Sequence, residues 1–170
     1  FIKEAPEGNT GIIVVIPCYG EPDIVRLLNS LASATKPECE VEVIVVVNAP
    51  ANASFENIGR NRKTLADIES WKQQETSCLF RLFSLDIEPG AIPGWGVGLA
   101  RKTGMDEAVR RFSLIDNADG IILNLDADCS VAPNYFVAVY NELSMRKERS
   151  ACSIYFEHPF EGSEFPATVY

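Results

Sequence analysis

The chain is short of the residues from which self-evident sites are built. It has one histidine, two methionines and five cysteines in 170 residues. Cys18, Cys39, Cys78, Cys129 and Cys152 are odd in number, lie far apart and form no CxxC pair. That spacing argues against a disulfide framework and against a structural zinc site. Long apolar runs are missing too: "GIIVVIP" and "VEVIVVV" are too short to span a membrane and are bounded by turn residues. Basic residues are in deficit, 15 Lys and Arg against 24 Asp and Glu, for a net charge of −9. That sign is wrong for a nucleic-acid surface, and the short basic stretches "GRNRK" (59–63) and "MRKER" (145–149) read as solvated helix faces. No signal-peptide pattern is seen. A reducing, cytoplasmic setting, or one peripheral to a membrane, is the expectation. The sequence opens on Phe1 without Met and stops at "FPATVY", so a piece of a longer protein is expected.

What is present is ordinary globular material, 46% hydrophobic and 23% charged, enough for one domain over residues 1–170. β-Branched apolar runs alternate with longer amphipathic stretches. Strands are predicted at 11–17, 41–47, 78–85, 120–126 and 150–158, the first two buried on both faces as in a parallel sheet. Helices are predicted over about 21–34, with Pro22 in the first turn, and 55–73, with Ser54 as N-cap. Two more are predicted over about 99–112 and 133–147. Met105, Ala108, Val109 and Phe112 would form the inner face of the third, and Phe136, Val137, Tyr140 and Leu143 that of the fourth. This alternation predicts an α/β domain with a mostly parallel central sheet flanked by helices. One loop, "EPGAIPGWGVG" (88–98), has Gly or Pro at six positions, a composition that often marks function. Its Trp95 could close over a ligand or anchor the loop, whereas Trp71 is expected to pack on its own helix.

Ligands of open α/β sheets bind at the carboxyl ends of the strands. Three polar, turn-rich segments fall there: "PCYGEPD" (17–23), "NAPANAS" (48–54) and "DADCS" (126–130). The last follows a buried strand with two carboxylates, Asp126 and Asp128. Hard oxygens in that position suit Mg²⁺ or Mn²⁺, which would bridge an acidic protein to an anionic diphosphate. A plain turn capped by Asp126 explains the same residues. Arg101 and Lys102, near a helix start in "GVGLARKTGMDEA", could attract phosphate or simply face solvent. His158 is a possible third metal ligand, and Glu157 a possible general base.

Taken in order, "IIVVIPCYGEPDIVRLLNSL", "VEVIVVVNAPANAS", "GVGLARKTGMDEA" and "IILNLDADCSVAPNYF" resemble the four motif regions of family 2 glycosyltransferases of the GT-A (Rossmann-like) fold. The resemblance covers roughly residues 10–145. Pro17, Tyr19 and Glu21 match a P-x-Y-N-E opening, with Gly20 in place of Asn. Asn48 stands where the family ends a strand in Asp-Asp or Asp-Asn at the nucleotide base. Arg101 matches an A-R-N-x-G segment, with Lys102 replacing Asn. Asp126 and Asp128 match the DxD motif, which implies contact with ribose–diphosphate and metal. The resemblance thus implies transfer of a sugar from a nucleotide-diphosphate donor to a glycan, lipid or other acceptor. Donor binding would fall to Pro17, Tyr19, Glu21, Asn48, Arg101, Asp126 and Asp128. Only 42 residues follow Asp128, so much of the acceptor site and the base would belong to downstream sequence. Two rivals stand beside this reading: a nucleotide-sugar-binding module without catalysis, and a DxD phosphatase of the haloacid dehalogenase type. In that phosphatase family the motif opens the domain, unlike here.

Overall fold

The computed structural model describes residues 1–75, 78–87, 96–146 and 148–157. The apolar runs form four strands: β1 (Thr10–Cys18), β2 (Glu40–Val47), β3 (Phe80–Asp86) and β4 (Ile121–Asn124). They pair in parallel in the order β3-β2-β1-β4. Alternation within β1 divides the core. Ile12, Val14, Ile16 and Cys18 face one layer, while Ile13 and Val15 face the other. Both sets are fully buried, as the near-continuous apolar runs predict.

Helices α1 (Ile24–Ala32), α2 (Phe55–Gln74) and α4 (Tyr135–Ser144) contribute to the first layer. On α1, Ile24, Leu27, Leu28 and Leu31 are buried at helical spacing. The opposite layer holds α3 (Val97–Leu114), through Ala100, Ala108 and Phe112, together with Ile2 from the N-terminal segment. At Gly104 of α3, an added Cβ would lie 2.3 Å from Val15 Cγ1 and 3.1 Å from Val46 Cγ2. The glycine therefore lets α3 lie directly on the two central strands.

Several predicted features shift. α1 starts later than the sequence suggests, with Asp23 capping it through the Arg26 N–H at 3.2 Å, so Pro22 precedes the helix. Ser54 caps α2 as expected, accepting from Asn57 N–H at 3.2 Å. Ala108 and Phe112 of α3 are buried as expected, but Met105 and Val109 are exposed, and the buried face also carries Ala100, Gly104, Glu107 and Arg111. The sequence pattern misled because two charged residues occupy the inner stripe, where each has an ionic partner. α4 buries Tyr135, Phe136 and Val139, with Tyr140 and Leu143 only partly covered. Trp71 joins elements rather than lying on its own helix: it stacks on Phe80 at 5.6 Å and donates from Nε1 to Asn29 Oδ1 at 2.8 Å. The fifth predicted strand is not formed over 150–157, which is irregular and exposed. None of the described strands pairs with it, so Ile154, Tyr155 and Phe156 stay exposed. Most of the glycine-rich loop, including Trp95, lies outside the described residues, as does His158.

Candidate functional site

The strand order reverses between β1 and β4. At such a reversal the connections leave to opposite faces, and a crevice opens at the carboxyl ends. Here α1 departs to one face and α3 arrives from the other. Asn124 is level with Val15, and Leu125 N–H extends the pairing to Val15 O at 3.1 Å. Asp126 and Asp128 therefore leave the sheet alongside the end of β1.

The segment after β4 forms the turn that its sequence suggested. Cys129 N–H closes a turn on Asp126 O at 3.2 Å, and both aspartates are exposed. Arg26 of α1 donates from Nη2 to Asp128 O at 2.5 Å, and Ser30 Oγ accepts from Val131 N–H at 3.2 Å. These bonds pin the turn to α1. Arg101 reaches across from α3 and forms an ion pair with Asp126. Lys102, the neighbouring candidate, points away and pairs with Asp106 at 2.5 Å. The Cys129 thiol is pushed up by burial and then by the charges of Asp128 and Asp126, so both carboxylates act on the same small volume.

On the β1 side, Pro17 is buried inside the strand, while Tyr19 is 41% exposed. Gly20 takes φ +64°, a left-handed conformation that suits glycine. Glu21 Oε1 accepts from Asp23 N–H at 3.2 Å. Asn48, at the end of β2, is buried and donates its N–H to Cys18 O at 3.0 Å. Three α2 residues reach these two loops, and sequence reading passed over them. Asn61 accepts from Gly20 N–H at 2.8 Å and donates to Asn48 O at 2.8 Å. Thr64 Oγ1 donates to Glu21 O at 3.2 Å, and Asn57 Nδ2 donates to Tyr19 Oη at 3.0 Å. The available signal was the buried stripe of α2: Asn61 and Thr64 continue the spacing of Ile68 and Trp71, placing polar groups on an inner face.

Glu157 is exposed and accepts a hydrogen bond from Tyr155 Oη at 2.9 Å. Among the described residues no group of three or more His, Cys, Asp or Glu is placed to hold a metal ion. A fully protein-caged ion does not fit this donor set. Two exposed carboxylates do fit a hard divalent ion that takes its other ligands from diphosphate and water. A concavity of about 430 Å³, lined by residues such as Phe112, Asp116, Gly120 and Ile122, lies at the opposite, amino-terminal end of β4. It gathers no convergent charged set, so the crevice at the carboxyl ends remains the candidate site.

No family model matches the chain, and no curated protein matches it. Solved structures do. TarS 1-349 of S. aureus in complex with UDP is similar at 22% identity with a TM-score of 0.52, over 81% of this chain and 33% of that one. TarS 1-349 in complex with UDP-GlcNAc is similar at 23% identity with a TM-score of 0.51, over 81% and 31%. The chain thus spans about a third of the length of these structures. With its parallel sheet and flanking helices, it has the α/β fold of GT-A glycosyltransferases.

Proposed function

We propose that the chain is the donor-binding part of a family 2-like glycosyltransferase, which transfers a sugar from a nucleotide diphosphate to an acceptor. The observation that carries this reading is the meeting of Asp126, Asp128 and Arg101 at the β1–β4 reversal of a GT-A sheet. Tyr19, Glu21 and Asn48 would receive the nucleoside, with Pro17 as buried support beneath them. Arg101 can move from Asp126 to a phosphate oxygen, its guanidinium fork suiting either partner. Asp126 and Asp128 would hold Mg²⁺ or Mn²⁺ brought with the diphosphate, which would stabilise negative charge on the leaving group. His158 would be a further ligand to that ion. An acidic protein repels a bare diphosphate, so binding is expected to depend on the cation.

Calorimetric titration with UDP, GDP and ADP, each with and without Mn²⁺, tests the reading. Metal-dependent binding is expected, with Asp128→Ala weakening it by roughly tenfold or more. Absence of binding to every diphosphate overturns it, and turnover of a generic phosphate ester points to the phosphatase. A binding module without transfer is the second reading, favoured by the exposed position of Glu157 and its local bond to Tyr155. Assaying sugar release and transfer in the longest chain containing this sequence separates these two.

A further inference from the structure

Helix α2 joins the turn after β1 to the end of β2, the two segments that the proposed function assigns to the nucleoside. Asn61 is 8% exposed and Thr64 1% exposed, so neither is a surface residue that merely fills its bonding capacity. The Asn61 amide lies between Gly20 N–H and Asn48 O, each at 2.8 Å. One planar side chain therefore ties the turn after β1 to the backbone just past β2, where Asn48 N–H already bonds Cys18 O at 3.0 Å. An amide suits such a bridge, because its oxygen accepts from one loop while its nitrogen donates to the other. Aspartate could not serve the second bond and leucine could serve neither. One turn nearer the helix start, Asn57 holds the Tyr19 hydroxyl at 3.0 Å, and its Oδ1 would lie 3.0 Å from a Cβ added at Gly20. Thr64 secures the far side of the same turn through Glu21 O. Tyr19, the exposed aromatic ring beside the crevice, is thus held in a fixed direction by α2.

We infer that Asn57 and Asn61 are positioning residues that hold the turn after β1 and the angle of the Tyr19 ring against the nucleoside, and through these set the choice of base. This inference rests on the nucleotide-binding reading above. A turn and a ring held by short, directional bonds resist displacement, so a pyrimidine and a purine diphosphate should be bound unequally. Loosening the amide bridge should cost affinity and, more tellingly, discrimination.

The test compares the unaltered chain with Asn57→Ala, Tyr19→Phe, Asn57→Ala/Tyr19→Phe, Asn61→Asp and Asn61→Leu. Each is titrated with UDP and with ADP in the presence of Mn²⁺, and hydrogen exchange is followed at Gly20 N–H. Each substitution is expected to weaken the preferred diphosphate by roughly three- to tenfold and to narrow the UDP-to-ADP ratio. The double substitution should do no more than its worse single, because both singles remove one shared bond. Gly20 N–H exchange should accelerate in Asn61→Leu while amides in the middle of β1 keep their protection. Where an Asn61 variant does not fold, the half-exposed Asn57–Tyr19 pair decides alone. Unchanged affinity and ratio in folded variants, or strictly additive effects at Asn57 and Tyr19, overturn the inference and leave the proposed function standing. If the unaltered chain binds no nucleotide diphosphate, the proposed function and this inference fall together.

Discussion

Glu42 sits within β2, with Val41 and Val43 on either side, and its carboxylate is fully buried. It meets the equally buried Arg111 of α3, which pairs through Nε and donates from Nη2 to Glu42 Oε1 at 2.7 Å. Arg111 also donates from Nη1 to Glu4 O at 2.8 Å and lies 4.7 Å over the Phe83 ring. Without Arg111 the buried carboxylate would keep only the more distant Arg81 Nη1, at 3.6 Å. Arg111→Met should therefore destabilise the chain by about 3–5 kcal/mol, while Glu42→Leu/Arg111→Met should recover most of that loss. Denaturant unfolding of the single and double variants checks the ordering. An equal loss in both would mean that the Glu4 tether, not the stranded carboxylate, sets the cost. Glu42 is visible in the sequence as a lone acid in an apolar run, but Arg111 lies 69 residues away, beyond what spacing alone can read.

Among the elements, α3 links the core to the site. Gly104 brings it against β1 and β2, and Arg101 sits one turn earlier at the crevice. Helix propensity favours alanine over glycine by about 1 kcal/mol, whereas forcing a methyl into a filled core costs about 1–3 kcal/mol. At Gly104 the second effect should win, because Val15 belongs to a central strand and has little room to move. Gly59 of α2 is the control, since nothing lies within 4 Å of an added Cβ there. Gly104→Ala is expected to lower unfolding stability and Gly59→Ala to raise it by roughly 0.5–1 kcal/mol. A gain at Gly104 would show that α3 can slide off the sheet. The A-R-x-x-G pattern was legible as a motif, but that its glycine serves helix–sheet contact and its arginine the site was not.

For the whole molecule, buried groups whose titration is shifted, Cys18, Tyr135 and Glu107 among them, shape how stability should vary with pH. Burial pushes the Cys18 thiol from 9.0 up to about 12, with the Glu21 charge adding to it. Burial also pushes the Tyr135 hydroxyl from 10.0 up to about 12. Both groups are neutral in the folded state where the unfolded chain would ionise. Their contribution is complete below about pH 9 and is lost as pH rises toward 12. Burial alone would raise Glu107, but Arg110 and the Ile2 N–H hold it below its usual value of 4.5. Its contribution is present above that value and is lost as pH falls through the folded range. Unfolding free energy measured against pH should thus decline at both ends. Tyr135→Phe should flatten the alkaline limb. It should also raise stability near pH 7 by about 1 kcal/mol, since among the described residues the buried hydroxyl has no hydrogen-bond partner. A loss at pH 7 would mean that the hydroxyl is bonded after all.

The sequence by itself determined the strands β1 to β4, their parallel arrangement and the α/β class. β-Branched runs and helical stripes are local patterns, and burial on both faces follows from their continuity. It also picked out Asp126, Asp128, Arg101 and Tyr19 as residues at strand ends and a helix start. Tertiary structure alone decided that Arg101 turns to Asp126 while its neighbour Lys102 turns to Asp106. It alone placed Asn57, Asn61 and Thr64 beneath the loops that end β1 and β2. The physical reason is range. Periodicity reports which face of an element is inside, whereas the partner of a buried polar group is chosen by packing between elements far apart in the chain.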